Sequence, residues 1–359
     1  MPYTCHPLAN CYRKGGAALG FVVKSLPPGQ FTITSAARVP TLLNAWKTAA
    51  TKKWGPNFKW VTMVGDISNM YDELDPVAAV KATKAALQEL PKWLKKRVVD
   101  RVNMTRGGND VVAGGTDQDS RVIVDFDSLL QMCEYDCTHT YYKFRGKVNR
   151  RKFGVPMGGF MSPAMAIITC AMVEVLMELA APEGMIGGCM RYMDDVFGMI
   201  VVSDSTVEEE LAARAWLKRV ASGYPSPLVL NVEPESDRLR FLELEILVHG
   251  GDILCGIYNT QAEAARQGEL MLQRLPDLGS GTSLTVRAAL VTGFVHRAFD
   301  GASDDSMLLR AVLEYYGELR RSSWGTGSLA QSLLRLSECE KVKRKETRDL
   351  LALLGKVIP

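Results

Sequence analysis

Short apolar runs that end at polar turns alternate with helix-like stretches over the first 260 residues. The run 60–64 predicts a buried strand that ends beside Asp66. The segment 189–202 reads as two apolar strands joined by a two-residue acidic turn, which places Asp194 and Asp195 at the tip of a hairpin. The pattern therefore puts carboxylates at the ends of apolar strands.

Two helix starts carry an N-cap residue followed by proline, at Asp75-Pro76 and at Ser162-Pro163. The first helix is expected to end before Pro91, and the second carries an apolar stripe at helical spacing. Further helices are predicted over 92–102, 125–137 and 208–221.

The first 60 residues are rich in Gly, Pro, Ser and Thr, and they predict short strands such as 19–23 before a helix near 39–50. The segment 141–153 predicts a hairpin with its turn at 145–147. More strands follow up to residue 258, and helices dominate from residue 282 onward. This order predicts the α+β fold class, with a boundary near residue 262.

The amino-acid composition indicates a globular protein. The chain has 359 residues, of which 47% are hydrophobic and 23% charged, which is typical of a globular protein with a large core. The uncharged apolar stretch 164–173 is too short to span a bilayer, so no membrane partner is expected. The N-terminus has no apolar signal region, and eight irregularly spaced cysteines read as reduced thiols. We expect an intracellular protein, with nucleus and cytoplasm both open.

The net charge of +3 is unevenly distributed. The first 65 residues contain eight basic residues and no acidic one. A second basic, acid-free stretch lies between Asp136 and Glu174. Concentrated basic surface suits a polyanion such as nucleic acid, although a solvated basic face is the alternative on charge alone.

The two acidic positions carry the candidate chemistry. A carboxylate beside a packed apolar strand is costly unless a cation compensates it. Adjacent strand ends would bring Asp66 and Asp194 together, with no basic neighbour in sequence. Two such carboxylates suit a pair of Mg²⁺ ions, and Mn²⁺ suits the same oxygen ligands. For an isolated Asp-Asp pair, a surface turn is the alternative.

Four segments in a fixed order resemble the motifs of reverse transcriptases and together cover about residues 60 to 258. They are the first acidic motif GDISNMYDELDP, the glycine-rich turn and helix GVPMGGFMSPAMAIITCAMVE, the catalytic hairpin RYMDDVFGMIV, and LVLNVEPESDRLRFLELEI. The basic hairpin YYKFRGKVNRRKFG, Met157 and the strand FLELEI resemble Penelope-like elements most, with telomerase as a more distant relative.

The resemblance implies roles for individual residues. Asp66 and Asp194 would bind both metal ions, with Asp195 as a further ligand. Tyr71 would stand under the sugar and clash with a 2′-hydroxyl, which selects deoxynucleotides. The remaining implied residues are Met157, Gly158, Gly159 and Ser162 at the nucleotide, and Tyr192, Phe241, Leu242, Lys147, Arg150, Arg151 and Lys152 at the primer and template.

The same resemblance implies a right-hand polymerase. Its parts would be a basic, abbreviated fingers region over 1–60, an antiparallel-sheet palm over 61–262 and a helical thumb over 263–359, with a fingers-like insertion at about 91–153. The implied activity is RNA-directed DNA polymerisation, in which the chain extends a primer with dNTPs on an RNA and DNA template-primer duplex. The source would be a retroelement or a domesticated copy, and the sequence does not identify protein partners.

Two alternatives stay open. Asp72 lies one position after Tyr71, near where viral RNA-dependent RNA polymerases tend to carry an aspartate that accepts a ribose hydroxyl. A catalytically silent nucleic-acid-binding relative is favoured by the short fingers region and opposed by the intact carboxylates.

Overall fold

The computed structural model describes residues 8–108, 110–115, 121–260, 263–264, 268, 275 and 281–358. The chain divides into two compact units, the first made of Met1–Ile33, Val61–Ile200 and Thr206–Pro234, and the second of Thr34–Trp60, Val201–Ser205 and Glu235–Pro359. Mixed helices and antiparallel sheets confirm the α+β prediction. The assignment of fingers, palm and thumb stays a prediction.

The elements in chain order are α1 (Ala9–Lys24), α2 (Arg38–Trp54), β1 (Phe58–Ile67), α3 (Met70–Glu73), α4 (Pro76–Trp93), β2 (Arg101–Thr105), β3 (Val111–Ala113), β4 (Arg121–Asp125), α5 (Phe126–Thr138), β5 (Tyr141–Phe144), β6 (Lys147–Arg150), α6 (Ser162–Leu179), β7 (Ile186–Tyr192), β8 (Asp195–Ser203), α7 (Val207–Ser222), β9 (Leu230–Val232), β10 (Arg238–Phe241), β11 (Leu244–His249), β12 (Asp252–Ile257), α8 (Leu284–Gly301), α9 (Asp305–Arg321), α10 (Gly327–Ser337) and α11 (Lys345–Val357).

A four-stranded sheet in the order β7-β8-β1-β9 carries the predicted acidic positions. The apolar runs at 60–64 and 196–202 form β1 and β8, as predicted, and β8 is buried at every position from Val196 onward. β9 pairs antiparallel with β1, with Asp66 opposite Asn231. Gly65 lies beside this strand so closely that a Cβ on it would stand 2.4 Å from the Asn231 carbonyl oxygen.

The helix starts follow the sequence in part. The Asp75 carboxylate accepts hydrogen bonds from the backbone N–H groups of Val77 and Ala78, at 3.0 and 3.3 Å, and α4 begins at Pro76 as predicted. The expected end before Pro91 is wrong, because α4 continues to Trp93. Because Pro91 lies in the last turn, its missing N–H and its ring disturb only the end of the helix.

Two other elements differ from their prediction. The segment 19–23 is helical, because Gly15, Ala18, Leu19 and Val22 form one buried stripe at helical spacing on α1. The predicted helix 92–102 is absent from that described stretch, which leads instead into β2 of the antiparallel sheet β3-β2-β4. Burial in this sheet overrides the helical reading.

Helix α5 and the basic hairpin are confirmed. Asp125 caps α5 by accepting the N–H of Ser128 at 2.8 Å. β5 and β6 pair antiparallel from Tyr141 opposite Arg150 to the turn, where Arg145 takes a left-handed backbone conformation. The predicted helix 208–221 corresponds to α7.

Helix α6 is long and apolar enough to cross a membrane by length and composition alone. It continues past Glu174 to Leu179, beyond the apolar stretch identified in the sequence. Half of the helix is buried in this structure, and it packs against α1, α4 and α7. These contacts are those of a core helix.

The second unit contains the sheet β10-β11-β12 and the helices α2 and α8 to α11. Its helical core includes Val295, Val312, Leu333 and Leu351, all fully buried. Glu245 on β11 is also buried, and it forms ion pairs with Arg238 and with Arg310.

Gly65→Ala tests the close approach of β1 to β9. The added methyl group would meet backbone rather than a movable side chain, so we expect a loss of about 1–3 kcal/mol in the free energy of unfolding. Gly20→Ala on α1 is the matched control, because nothing lies within 4 Å of its Cβ position and helix propensity predicts a gain of up to about 1 kcal/mol. Equal effects of both changes in urea denaturation would contradict this packing.

Candidate active site

Three aspartates gather at one end of the four-stranded sheet. Asp66 is the penultimate residue of β1, Asp194 lies in the turn between β7 and β8, and Asp195 is the first residue of β8. β8 and β1 are neighbours, and the N–H of Ile67 donates to the Asp194 carbonyl oxygen at 2.8 Å. The positions of Asp66 and Asp194 at the ends of two predicted strands had indicated that they would lie together.

Negative charge is concentrated at this end of the sheet. Asp66 and Asp194 are exposed, and Asp195 is half-buried. Burial raises the pKa of the Asp195 carboxyl, and the negative charges of Asp194, Asp66 and Glu233 raise that pKa further. Within the described part of the chain, none of the three aspartates has a cationic side chain as partner. A bound cation would relieve this repulsion.

The donor set suits a hard divalent cation. Among the described residues, no group of three His, Cys, Asp or Glu side chains is gathered tightly enough to hold a metal by itself. Mg²⁺ ordinarily keeps several waters and binds one or two carboxylates together with substrate phosphates, so a preformed cage of three is not required. Asp66 and Asp194 supply carboxylates of that kind, with Asp195 adjacent.

The acidic turn itself has an unusual backbone. Met193, which precedes Asp194, has a φ of +56°, in the left-handed region that side chains disfavour. Its carbonyl oxygen accepts a hydrogen bond from Arg191 Nη1 at 2.9 Å. Arg191 is fully buried and forms an ion pair with the equally buried Glu174 of α6.

The sequence reading missed the Arg191–Glu174 pair, although a signal was present. Arg191 interrupts an apolar strand, and Glu174 ends an apolar helical run. Buried charges require partners, so two opposite charges in apolar elements of one fold could have been paired in advance.

Tyr71 lies next to the acidic turn on α3. Its ring is half-buried, and burial, followed by the negative charge of Asp194, raises the pKa of its phenol. The carbonyl oxygen of Tyr71 accepts the N–H of Val155 at 2.8 Å. Gly154 packs against this carbonyl oxygen with a φ of +77°. A side chain at this position would not fit, since its Cβ would stand 2.7 Å from the Tyr71 oxygen. The glycine-rich segment is thus fixed against the first acidic motif.

Asp72, the residue after Tyr71, forms an ion pair with Arg151. Its Oδ1 accepts a hydrogen bond from Arg151 Nη1 at 2.9 Å, and the same nitrogen also donates to the Val155 carbonyl oxygen. This ion pair occupies the aspartate on which the ribonucleotide alternative depends.

The predicted nucleotide-binding loop is divided between exposed and buried residues. Met157 and Gly158 are exposed, whereas Gly159 and Ser162 are buried. Ser162 is the first residue of α6 and makes no capping hydrogen bond, so the predicted N-cap role is wrong. Its Oγ is buried and lacks a hydrogen-bond partner among the described residues. Gly159 leaves room for this hydroxyl, since a Cβ on residue 159 would stand 2.6 Å from the Ser162 Oγ.

The basic hairpin presents exposed cations beside a large cleft. Lys147, Arg150 and Lys152 are exposed, and Arg150 Nε donates to the Thr138 carbonyl oxygen at 2.8 Å. The cleft has a volume of about 1240 Å³, and its lining combines cations with exposed aromatic rings: Tyr142, Arg150, Arg151, Lys152 and Phe153.

The remaining predicted primer contacts lie in different places. Tyr192 is the last residue of β7 and is 40% exposed next to the acidic turn. Phe241 and Leu242 belong to the second unit. The Phe241 side chain is buried in that unit, and Leu242 forms a left-handed turn between β10 and β11. A primer contact at this position would therefore use the turn and not the Phe241 ring.

Two telomerase structures share this fold. Telomerase from Candida albicans, in complex with a TWJ fragment of telomeric RNA, is similar over 96% of this chain and 55% of that chain, with a TM-score of 0.61 and 15% identity. Apo telomerase from Candida tropicalis is similar over 89% of this chain and 52% of that chain, with a TM-score of 0.51 and 13% identity. No protein-family model and no curated protein sequence matches the chain.

These similarities show that the chain shares the fold of the two telomerase structures. The chain spans about half the length of the telomerase chains that it matches. The Sicinivirus 3Dpol RNA-dependent RNA polymerase is similar over 78% of this chain and 50% of that chain at 12% identity, but its TM-score of 0.36 is too low to support an argument.

Asp195→Asn tests the repulsion among the aspartates. The folded-state pKa of Asp195 lies above its ordinary value, so its contribution to stability falls as the pH rises through the window between the two pKa values. At pH 7 without divalent metal, we expect the neutral amide to increase the free energy of unfolding by less than about 2 kcal/mol. The gain should disappear at acidic pH, where Asp195 is itself protonated. Thermal unfolding across this pH range checks it, and an unchanged or larger gain in acid would contradict it.

Proposed function

We propose that this chain is an RNA-directed DNA polymerase that extends a primer 3′-hydroxyl with dNTPs. The observation that carries the proposal is the meeting of Asp66 and Asp194 at one end of the sheet, with no cationic partner among the described residues, in a fold shared with telomerase. Two neighbouring carboxylates that can hold metal ions suit phosphoryl transfer, because that reaction depends on positioning and on electrostatic stabilisation.

The carboxylates define the reaction centre. Two Mg²⁺ or Mn²⁺ ions held by Asp66 and Asp194, with Asp195 adjacent, would lower the pKa of the primer hydroxyl and neutralise the triphosphate. Asp66 is carried by a buried strand and Asp194 by a turn whose carbonyl groups are hydrogen-bonded, so neither carboxylate depends on a mobile loop. Glycines at 158 and 159 would let a triphosphate approach the backbone. The Ser162 hydroxyl, which has no hydrogen-bond partner in the described part of the chain, lies beside Gly159.

Selection of deoxynucleotides would come from Tyr71. The ring stands near Asp194, where the sugar of a metal-bound nucleotide would lie. The rival reading, an RNA-dependent RNA polymerase, needs Asp72 to meet the ribose, and the ion pair with Arg151 opposes that. We therefore favour dNTPs over rNTPs.

The basic hairpin would hold the template-primer duplex. Exposed cations contact phosphates regardless of sequence, and the exposed rings of Tyr142 and Phe153 are suited to stacking on unpaired bases. We extend the proposal to a retroelement of the Penelope-like branch or a domesticated copy, because the hairpin, Met157 and the strand FLELEI resemble that branch. We also propose an intracellular location, on the irregular spacing of the eight cysteines.

Primer extension on poly(rA)/oligo(dT) with Mg²⁺ tests the activity. We expect extension with dTTP that Asp194→Asn reduces by at least about 10³-fold, because the variant loses a carboxylate ligand of the metal ions. Asp204→Asn is the matched control, since Asp204 is an exposed aspartate that directly follows β8. Tight duplex binding without extension in the wild-type chain would instead indicate a silent nucleic-acid-binding relative.

Tyr71→Ala tests the sugar gate. Removal of the ring should raise the use of UTP relative to dTTP by about 10- to 100-fold, because the clash with the 2′-hydroxyl is lost. Tyr71→Phe keeps the ring and should keep the wild-type ratio. Competition between the two nucleotides in steady-state extension measures this ratio. An equal ratio in Tyr71→Ala and wild type would contradict the role of the ring.

The double variant Arg150→Gln/Lys152→Gln tests duplex binding by the hairpin. Each lost phosphate contact should reduce the slope of log K against log salt by about 0.9. Lys218→Gln/Arg219→Gln on α7 removes the same charge from another exposed helix face and serves as control. Fluorescence anisotropy at several salt concentrations gives the slopes. The same slope for both double variants would contradict a specific role of the hairpin.

A further inference from the structure

We propose that Arg191, held in place by Glu174, is a positioning residue for the catalytic turn. This inference rests on the proposed function, and it names a buried side chain outside the metal-binding carboxylates. Arg191 touches neither substrate nor metal in this assignment. It acts through the peptide group that joins Met193 to Asp194.

The guanidinium of Arg191 is completely enclosed. Its Nη1 donates to the Met193 carbonyl oxygen at 2.9 Å, and its Nη2 donates to Thr32 Oγ1 at 2.8 Å. Its Nε donates to the carboxylate of Glu174. The planar fork of an arginine can serve these directions at once, and a lysine ammonium on a flexible stem cannot.

Glu174 is fixed in turn by groups other than Arg191. Its carboxylate accepts the N–H of Phe31 at 3.1 Å and the hydroxyl of Tyr224 at 3.1 Å. The backbone of Arg191 is also paired with this segment, because its N–H donates to Phe31 and its carbonyl oxygen accepts the N–H of Ile33. The position of the guanidinium is therefore set by three separate stretches of chain.

These hydrogen bonds fix the backbone on both sides of Asp194. The carbonyl on its N-terminal side, that of Met193, accepts Arg191, and its own carbonyl accepts Ile67 at 2.8 Å. Both peptide planes that flank the Asp194 Cα are thus fixed, which sets the direction of its Cβ. Met193 is held in the left-handed region that its side chain disfavours, and the bond from Arg191 opposes its relaxation.

The buried Arg191–Glu174 ion pair is better suited to orienting the turn before Asp194 than to stabilising the fold. Two buried charges contribute little net stability, because their desolvation offsets their attraction. The directional donors of Arg191 supply what an apolar pair could not, a hydrogen bond to one chosen carbonyl. The pair is therefore explained by geometry at the turn.

The experiment compares two conservative changes in the same network. Arg191→Lys keeps the charge that Glu174 needs, but it cannot reach Glu174 and the Met193 carbonyl together. Tyr224→Phe removes one hydrogen bond from Glu174 with no change in ring size, and it leaves the turn untouched. Both variants lose network bonds, but only Arg191→Lys releases the carbonyl before Asp194.

Two readouts separate positioning from stability. The first is kcat for dTTP extension, which we expect to fall 10- to 100-fold in Arg191→Lys and to stay within about twofold in Tyr224→Phe. The second needs no activity: Mn²⁺ added to the chain with template-primer and a non-hydrolysable dNTP should raise its Tm further, because a ligand stabilises the state that binds it. Arg191→Lys should lose most of this Mn²⁺-induced shift, as should Asp194→Asn, and Tyr224→Phe should keep it.

Wild-type kcat and Mn²⁺ shift in Arg191→Lys would overturn the inference, and so would an equal loss in Tyr224→Phe. If Arg191→Lys does not fold, the double variant Glu174→Gln/Arg191→Gln removes both buried charges together and should show the same loss, because a glutamine is too short to reach Met193. Absence of extension by the wild-type chain would contradict the proposed function alone, since the Mn²⁺ shift still tests Arg191. Absence of any shift in the wild type would overturn both.

Discussion

Arg191 and Glu174 form an ion pair with no solvent exposure inside the first unit. Glu174 belongs to α6 and Arg191 to β7, and both also bond to the segment 31–33. The pair therefore joins three distant parts of the sequence. It lies directly behind a turn whose own residues are exposed and mutually repulsive. A rigid backbone is the condition under which such carboxylates stay together, because nothing in their side chains attracts them to one another.

The carboxylates at the end of the sheet and the buried pair behind it have opposite physical characters. Asp66 and Asp194 are open to solvent, so a metal and a triphosphate can reach them. The charges of Arg191 and Glu174 are fully compensated inside the core, so they can orient without reacting. The fold thus separates the groups proposed to bind from the groups proposed to position.

The sequence predicted the sheet positions well, because apolar runs such as 60–64 and 196–202 require burial and the aspartates fall at their ends. It also predicted the N-cap at Asp75 and the basic hairpin from local chemistry. It failed at 19–23 and 92–102, where a short apolar run suits a strand or a helix equally and tertiary burial decides. The Arg191–Glu174 pair and the Arg151–Asp72 pair depend on contacts between residues 17 and 79 positions apart, which local patterns do not contain.

The proposed function requires that Asp66 and Asp194 jointly bind divalent ions at the reaction centre. The most direct measurement is an electron paramagnetic resonance titration of Mn²⁺ into the chain with template-primer and a non-hydrolysable dNTP. We predict two Mn²⁺ ions per chain that Mg²⁺ displaces, and loss of this binding in both Asp66→Asn and Asp194→Asn. Mn²⁺ binding that is unchanged when both aspartates are replaced would contradict the account.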